Sequence, residues 1–355
     1  MKYTKVFVET IGYELPPTVV TSAELEARLA PVYRALRFQP GQLEALTGIS
    51  ERRWWAPDTP LSQPAITAAR AALDSSAVKP GDIDVLIYAG VCRESFEPAT
   101  ACRVAHGVGV SPAAAVYDLS NACLGVLNGM LDIANRIELG QIRAGLVVSC
   151  ESAREIVNIM IDRLIEKPEM ELFKMSVATL TGGSGAAAVL LTDGSFGSAS
   201  SHRLLGGVTR TAPEHYGLCR WGMEETRQEK GHENGRATYR QLMSTDSVAV
   251  LEHGVALGLE TWKAFLGEMG WSEADVEKTI CHQVGSTHQA LILQTFQIQE
   301  NKDFTTFAYL GNMGTVSLPI TAALAAERDV LASGNEVAFL GIGSGLNCLM
   351  LGLEW

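Results

Sequence analysis

Seven cysteines, an odd number, include no Cys-x-x-Cys pair. That absence excludes the common zinc and dithiol motifs and argues against a paired disulfide framework, so reduced thiols in a cytoplasmic protein are expected. No apolar run approaches the length of a membrane span. The opening MKYTKVFVETIGYELP alternates like a strand and lacks the apolar core and small-residue cleavage site of a signal peptide. Positive charge is also scarce, with 28 Lys and Arg against 40 Asp and Glu and a net charge of −12. This argues against nucleic acid as the main partner, yet permits a local basic patch for an anionic small ligand. Charged residues make up only 19% of the chain and hydrophobic ones 47%. Disorder is thereby excluded, and 355 residues exceed one ordinary core, so two domains or two fused halves are expected.

The densest pattern runs from Ala115 to Ser149 and reads as strand, sharp turn, buried helix, loop and second strand. Ser120 and Asn121 are capping types, and Leu124, Val126, Leu127, Met130, Leu131, Ile133, Ala134 and Ile137 put apolar side chains on every face of the helix. Gly140 stands where a left-handed cap closes it. Cys123 falls in the expected first turn, where the helix dipole and free N–H groups favour a thiolate, lower the thiol pKa and offer an oxyanion hole. Packing is the competing reading, since free Cys is among the most buried residue types.

Before this unit, Ser22 to Leu36 reads as helix, residues 46–55 (LTGISERRWW) as loop, Ala65 to Leu73 as an amphipathic helix and 81–91 (GDIDVLIYAGV) as a buried strand followed by a helix through Ala101. After it come a helix-leaning insertion at 153–181, a glycine-rich strand at 181–191, and a Gly/Ser/Ala-rich junction from Asp193 to Ser201. A second series then repeats the first. A helix at 247–269 is followed by strand and helix at 274–298 and by turn, helix and strand at 309–343. Matching element order predicts duplicated βαβ units, each with a mostly parallel, helix-covered sheet, and two buried helices packed centrally. His282 then follows a strand and Asn312 precedes a helix, both at the topological position of Cys123. Singly, such a His or Asn is usually structural. Together the three supply a nucleophile and two hydrogen-bond donors able to polarise a thioester carbonyl.

DLSNACLGVLNGM, CHQVGSTHQ, LGNMGTVSLP, LTGISERR and FLGIGSGLNC resemble the thiolase-superfamily condensing enzymes, in the ketoacyl-ACP synthase III branch, over nearly the whole chain. RESFEPATA, SNACLGVLNGM, GGVTR, LCR and GIGSGLNC are most similar to the OleA group, which joins two fatty acyl-CoA molecules head to head. The resemblance implies an α/β thiolase fold of two duplicated βαβαβαββ halves in a five-layered α-β-α-β-α arrangement. Residues 1–195 are expected to form the half with Cys123 and the 153–181 cap, and residues 196–355 the half with His282 and Asn312. It also implies Cys123 as acylated nucleophile and His282 and Asn312 as donors to the second thioester carbonyl. His282 as a base paired with Cys123 fits the resemblance less well.

Two departures matter. The synthase III branch usually carries His-Gln-Ala-Asn-x-Arg where this chain has His282-Gln-Val-Gly-Ser-Thr-His288, so docking of ACP or CoA does not carry over. Thiolases place a base cysteine where Gly341 stands, and Cys348 is expected to be core. Two simple acyl-CoAs require α-proton removal by a positioned base, whereas a malonyl donor yields its carbanion by decarboxylation. The OleA resemblance implies Glu97 as that base, reaching across a dimer interface; by itself Glu97 reads as a solvated loop residue before a proline. The backbone N–H groups of Cys123 and Ser344 are candidate oxyanion donors, because Gly343 and Gly345 allow close main-chain approach or simply a tight turn. Arg203, Arg210, Arg220, Arg227, Lys230, Arg236 and Arg240 make residues 202–240 unusually basic, and Arg210 and Arg220 are the candidates for CoA phosphates. Ile156, Ile159, Met160 and Leu164 suit an alkyl channel, a dimer interface or plain core.

The expected activity is a non-decarboxylative Claisen condensation of acyl-CoA thioesters by a homodimer. No cofactor or metal is implied beyond CoA as carrier, and an enzyme that processes the β-keto acid is an expected partner. A decarboxylating 3-oxoacyl-ACP synthase III and a catalytically silent acyl-binding protein of the same fold are the alternatives. An intact Cys-His-Asn set argues against the second.

Overall fold

A computed structural model describes residues 1–197, 202–226 and 238–355. The first half runs β1 (Phe7–Glu14), β2 (Thr18–Thr21), α1 (Ser22–Arg28), α2 (Ala30–Leu36), α3 (Gln42–Thr47), β3 (Glu51–Trp54), α4 (Ser62–Asp74), β4 (Val85–Tyr88), α5 (Thr100–Val108), β5 (Ala115–Asp118), α6 (Gly125–Glu138), β6 (Ala144–Glu151), α7 (Arg154–Glu166), α8 (Met170–Leu180) and β7 (Gly185–Thr192). The second runs β8 (His202–Thr211), β9 (Cys219–Thr226), β10 (Thr238–Thr245), α9 (Ser247–Met269), β11 (Lys278–Cys281), α10 (Ser286–Phe296), α11 (Phe307–Leu310), α12 (Ser317–Glu327), β12 (Glu336–Gly343) and β13 (Asn347–Glu354). The expected junction from Asp193 to Ser201 falls partly outside the described residues.

Nine strands are hydrogen-bonded in the order β11-β12-β13-β8-β1-β7-β6-β4-β5. Read outward from the middle, each half has the same order: β1-β7-β6-β4-β5 on one side and β8-β13-β12-β11 on the other. The ladder that joins the halves pairs Phe7 with Arg203 and Val8 with His202. The second half has no full counterpart of β5 among the described residues, because Asp303 makes a single parallel bridge to Thr279.

Strand periodicity sends alternate residues into different layers. On β7, Ala186, Ala188 and Leu190 pack outward with Ala68 of α4 and Ala101 of α5, while Val189 and Leu191 point inward. On β12, Val337 and Phe339 join that same inner cluster, and Ala338 and Leu340 pack with Phe265 of α9 and Phe296 of α10. Helices α6 and α12 supply the inner layer, with Met130, Ile133, Leu318 and Ala322 at its heart. The result is the five-layered thiolase fold, with helices outside and between the two halves of the sheet.

Three local expectations need correction. Residues 51–54 form β3, paired antiparallel with β2, rather than a loop; Arg52 and Trp54 turn inward on alternate positions and are buried. Helix α6 is apolar on all but one edge, where Asp132 accepts from Tyr117 and from Arg136 one turn on. Asn121 makes no side-chain cap, since it bonds instead to Asn128 and Asn347. Gly140 does adopt the left-handed conformation, at φ +69.

Candidate active site

Cys123 lies in a 3-10 turn, Ala122–Leu124, directly before α6 rather than within its first α-turn. Ala122 enters that turn at φ +46, a conformation costing an L-residue about 1–2 kcal/mol, and so holds Cys123 at a sharp bend. The end of β12 passes beside it: a β-carbon at Gly343 would lie 3.4 Å from the Cys123 nitrogen. Glycine leaves that N–H accessible. At Gly341 a β-carbon would stand 2.5 Å from Leu127 and 2.6 Å from Leu124, so the thiolase base cysteine has no room there. Cys348 is buried among apolar residues of the second half, as expected.

The second half supplies the facing groups. His282 follows β11 and is fixed by its N–H donating to the Leu340 carbonyl of the adjoining β12 at 2.8 Å. Its side chain is buried and its Nδ1 has no hydrogen-bond partner among the described residues. Burial first, and His288 second, lower its pKa to about 3, leaving a neutral imidazole at physiological pH. Asn312 is clamped by its N–H donating to the Thr181 carbonyl and by its own carbonyl accepting from Gly183, both at 2.9 Å. Its Oδ1 accepts from the Gly314 N–H at 3.0 Å, which leaves the Nδ2 donor for another partner. The turn is locked to α6, the helix that follows Cys123, by the Val126 N–H, which donates to Thr315 Oγ1 at 2.7 Å. The Cys123 turn thus meets the Asn312 turn and the end of β12, and His282 stands just past the strand beside β12.

The expected lowering of the Cys123 pKa is corrected. Burial above all, then Cys219 and Glu151, raises it to about 12. Removing hydration from a thiolate beside other acidic groups outweighs a helix N-terminus that begins two residues later. Sequence reasoning missed Cys219 and Glu151. Glu151 ends an otherwise uncharged strand, AGLVVSCE, and that lone charge at a buried strand end was its only signal.

Other expected residues lie elsewhere on the chain. Glu97 is exposed on the loop between β4 and α5, beside a fully exposed Phe96, and one chain alone does not bring it to Cys123 through any hydrogen bond or ion pair among the described residues. Ser344 sits just past β12, its carbonyl accepting from Asn347 at 3.4 Å. Arg210 on β8 and Arg220 on β9 are exposed; Arg203 and Arg240 pair with Glu354 and Glu166. Arg227, Lys230 and Arg236 lie outside the described residues. From the insertion, Leu164 packs with Leu25, Leu29 and Tyr33 beneath α1 and α2, and Ile156 and Met160 are also buried. A narrow cleft adjoins His282 and is lined by Ile292, Leu293, Phe296 and Ile342 together with His288 and Asp303.

Fold and site define a thiolase-fold acyltransferase. Residues 266–355 match the family of 3-oxoacyl-[acyl-carrier-protein] synthase III C-terminal regions. The chain is 53% identical over its full length to all of an acyl-CoA:acyl-CoA alkyltransferase from Shewanella oneidensis, and 33% identical, again over all of both chains, to one from Xanthomonas campestris. Cerulenin-bound OleA from Xanthomonas campestris superimposes with a TM-score of 0.91, at 33% identity, covering 100% of this chain and 98% of that one. A cysteine-to-serine variant of that protein, solved with lauric acid and lauroyl-CoA, gives 0.90 at 33% identity over 99% of this chain and all of the other. The chain belongs to the acyl-CoA:acyl-CoA alkyltransferase (OleA) family.

Proposed function

We propose that the protein joins two fatty acyl-CoA thioesters by non-decarboxylative Claisen condensation, working as a cytoplasmic homodimer. The reading is carried by the Cys123 turn packed against the Asn312 turn and the end of β12. Cys123 sulfur attacks the first thioester carbonyl, its proton departs, and CoA leaves as the thiol. The second acyl-CoA then places its carbonyl oxygen against the donors His282 and Asn312. Glu97 of a partner subunit removes an α-proton, and the resulting carbanion attacks the acyl group on Cys123 and expels its sulfur. A β-ketoacyl thioester results, and hydrolysis gives the β-keto acid. The N–H groups of Cys123 and Ser344 serve the oxyanion on the acyl-enzyme side, and Arg210 and Arg220 are the candidates for the CoA phosphates.

No described helix is long and apolar enough to cross a membrane. The product's chemistry calls for an enzyme that reduces or decarboxylates a β-keto acid. The decarboxylating alternative is disfavoured, because the full-length relatives at 53% and 33% identity carry a name for acyl-CoA to acyl-CoA transfer.

Intact-protein mass spectrometry after incubation with one acyl-CoA tests the reading, together with product analysis without malonyl donor. The wild type is expected to gain one acyl mass and to form a long β-keto product. Cys123→Ala is expected to gain none; acylation mapped to Cys92 or Cys150 would overturn the assignment.

A further inference from the structure

One buried carboxylate lies between the Glu97 loop and the Asn312 turn without being in the proposed chemistry. Glu151, at the end of β6, is 4% exposed. Its Oε1 accepts from the Val91 N–H at 2.9 Å and its Oε2 from the Cys92 N–H at 3.1 Å, at the root of the loop that carries Glu97. On its other side it packs against the Asn312 turn, where a β-carbon at Gly314, next to Thr315, would lie 3.4 Å from its Cγ and 3.6 Å from its Oε1. Thr315 in turn accepts from Val126, three residues past Cys123. The Glu97 loop is thus held directly by this side chain, the Asn312 turn packs against it, and the Cys123 turn is joined to that turn through Thr315.

We propose that Glu151 is a positioning residue for the condensation step, its carboxylate fixing the spacing between the Glu97 loop, the Asn312 turn and the Cys123 turn. The proposal rests on the condensing activity stated above. A carboxylate suits the position because it has only acceptors and the facing backbone groups are all donors. A glutamine would turn one N–H₂ toward those donors. The titratable groups around it are Tyr88 from β4, Cys92 from the loop, Cys150 from its own strand and Cys123 from the turn, with Cys219 of β9 facing Cys123.

Glu151→Gln keeps the shape and removes the charge, while Glu151→Asp keeps the charge and draws it back. Both are expected to take up the acyl mass on Cys123 yet condense about 10²-fold more slowly, the cost of misplacing reacting groups by about 1 Å. Iodoacetamide alkylation of Cys123 supplies a readout that a merely structural residue would not move. Loss of the nearby negative charge should shift its pH profile downward in Glu151→Gln and leave it in place in Glu151→Asp. A folded Glu151→Gln with wild-type condensation and alkylation profile overturns the proposal, as does equal loss of acylation and condensation with an unmoved profile. If neither variant folds, Gly314→Ala strains the turn that packs on the carboxylate, because its backbone stands at φ +59. It should lose condensation and keep acylation; unchanged condensation overturns the proposal. A wild type that is acylated but never condenses acyl-CoA defeats the functional reading instead, and the alkylation profiles still decide the role of Glu151.

Discussion

Burial raises the Cys123 thiol pKa to about 12, so on the proposed mechanism proton loss is expected to accompany attack on the thioester. The α-proton of the second substrate is a separate problem. Glu97→Gln should leave acylation of Cys123 intact and slow condensation by roughly 10²–10⁴-fold, as for a lost general base; comparing acyl mass uptake with product formation measures both. If condensation is untouched, the base lies elsewhere. His202 allows a test by pH. It stacks on Trp355 with centroids 3.7 Å apart, and burial lowers its pKa from 6.5 to about 4. Between those values the unfolded chain binds more protons, so its contribution is complete above pH 6.5 and is lost as pH falls toward 4. A melting-temperature profile should be flatter over that window in His202→Phe than in the wild type. The placement of Cys123 before a buried helix, of His282 after a strand and of Asn312 before a helix was legible from element order. The direction of the Cys123 pKa was not, because burial and two acidic neighbours distant in sequence decide it.

At the scale of elements, the link between the two buried helices is one side chain. Thr315→Ala removes the acceptor for the buried Val126 N–H and should cost about 1–3 kcal/mol, read from denaturant unfolding. An unchanged midpoint would mean that another acceptor or water takes its place. Helices and central strands were readable because their periodicity is long or their runs wholly apolar. The four residues of β3 were not, since a strand this short is defined by its partner β2, and Arg-Arg-Trp is a poor local advertisement for it. The 3-10 turn at Cys123 was hidden for a related reason: backbone contacts with the end of β12 and with Thr315 shift the start of α6 to Gly125, whereas Ser120 and Asn121 suggested an earlier one.

For the whole molecule, the exposed Glu97 loop and the open outer edge of β5 bear on assembly. Strand β5 is hydrogen-bonded only to β4 among the described residues, and an unpaired edge is a template for another strand. If the partner subunit delivers Glu97, dilution below the dimer's dissociation constant should abolish condensation before acylation of Cys123, with mass determined by analytical ultracentrifugation. A fully condensing monomer would overturn that arrangement. The repeated strand order is joined at the seam by a short ladder of two residue pairs, Phe7 with Arg203 and Val8 with His202. The seam is therefore held less by that ladder than by the inner layer, where side chains of α6 and α12 share one cluster. Neither half has a complete interior alone, so the two are expected to melt as one cooperative unit rather than in sequence.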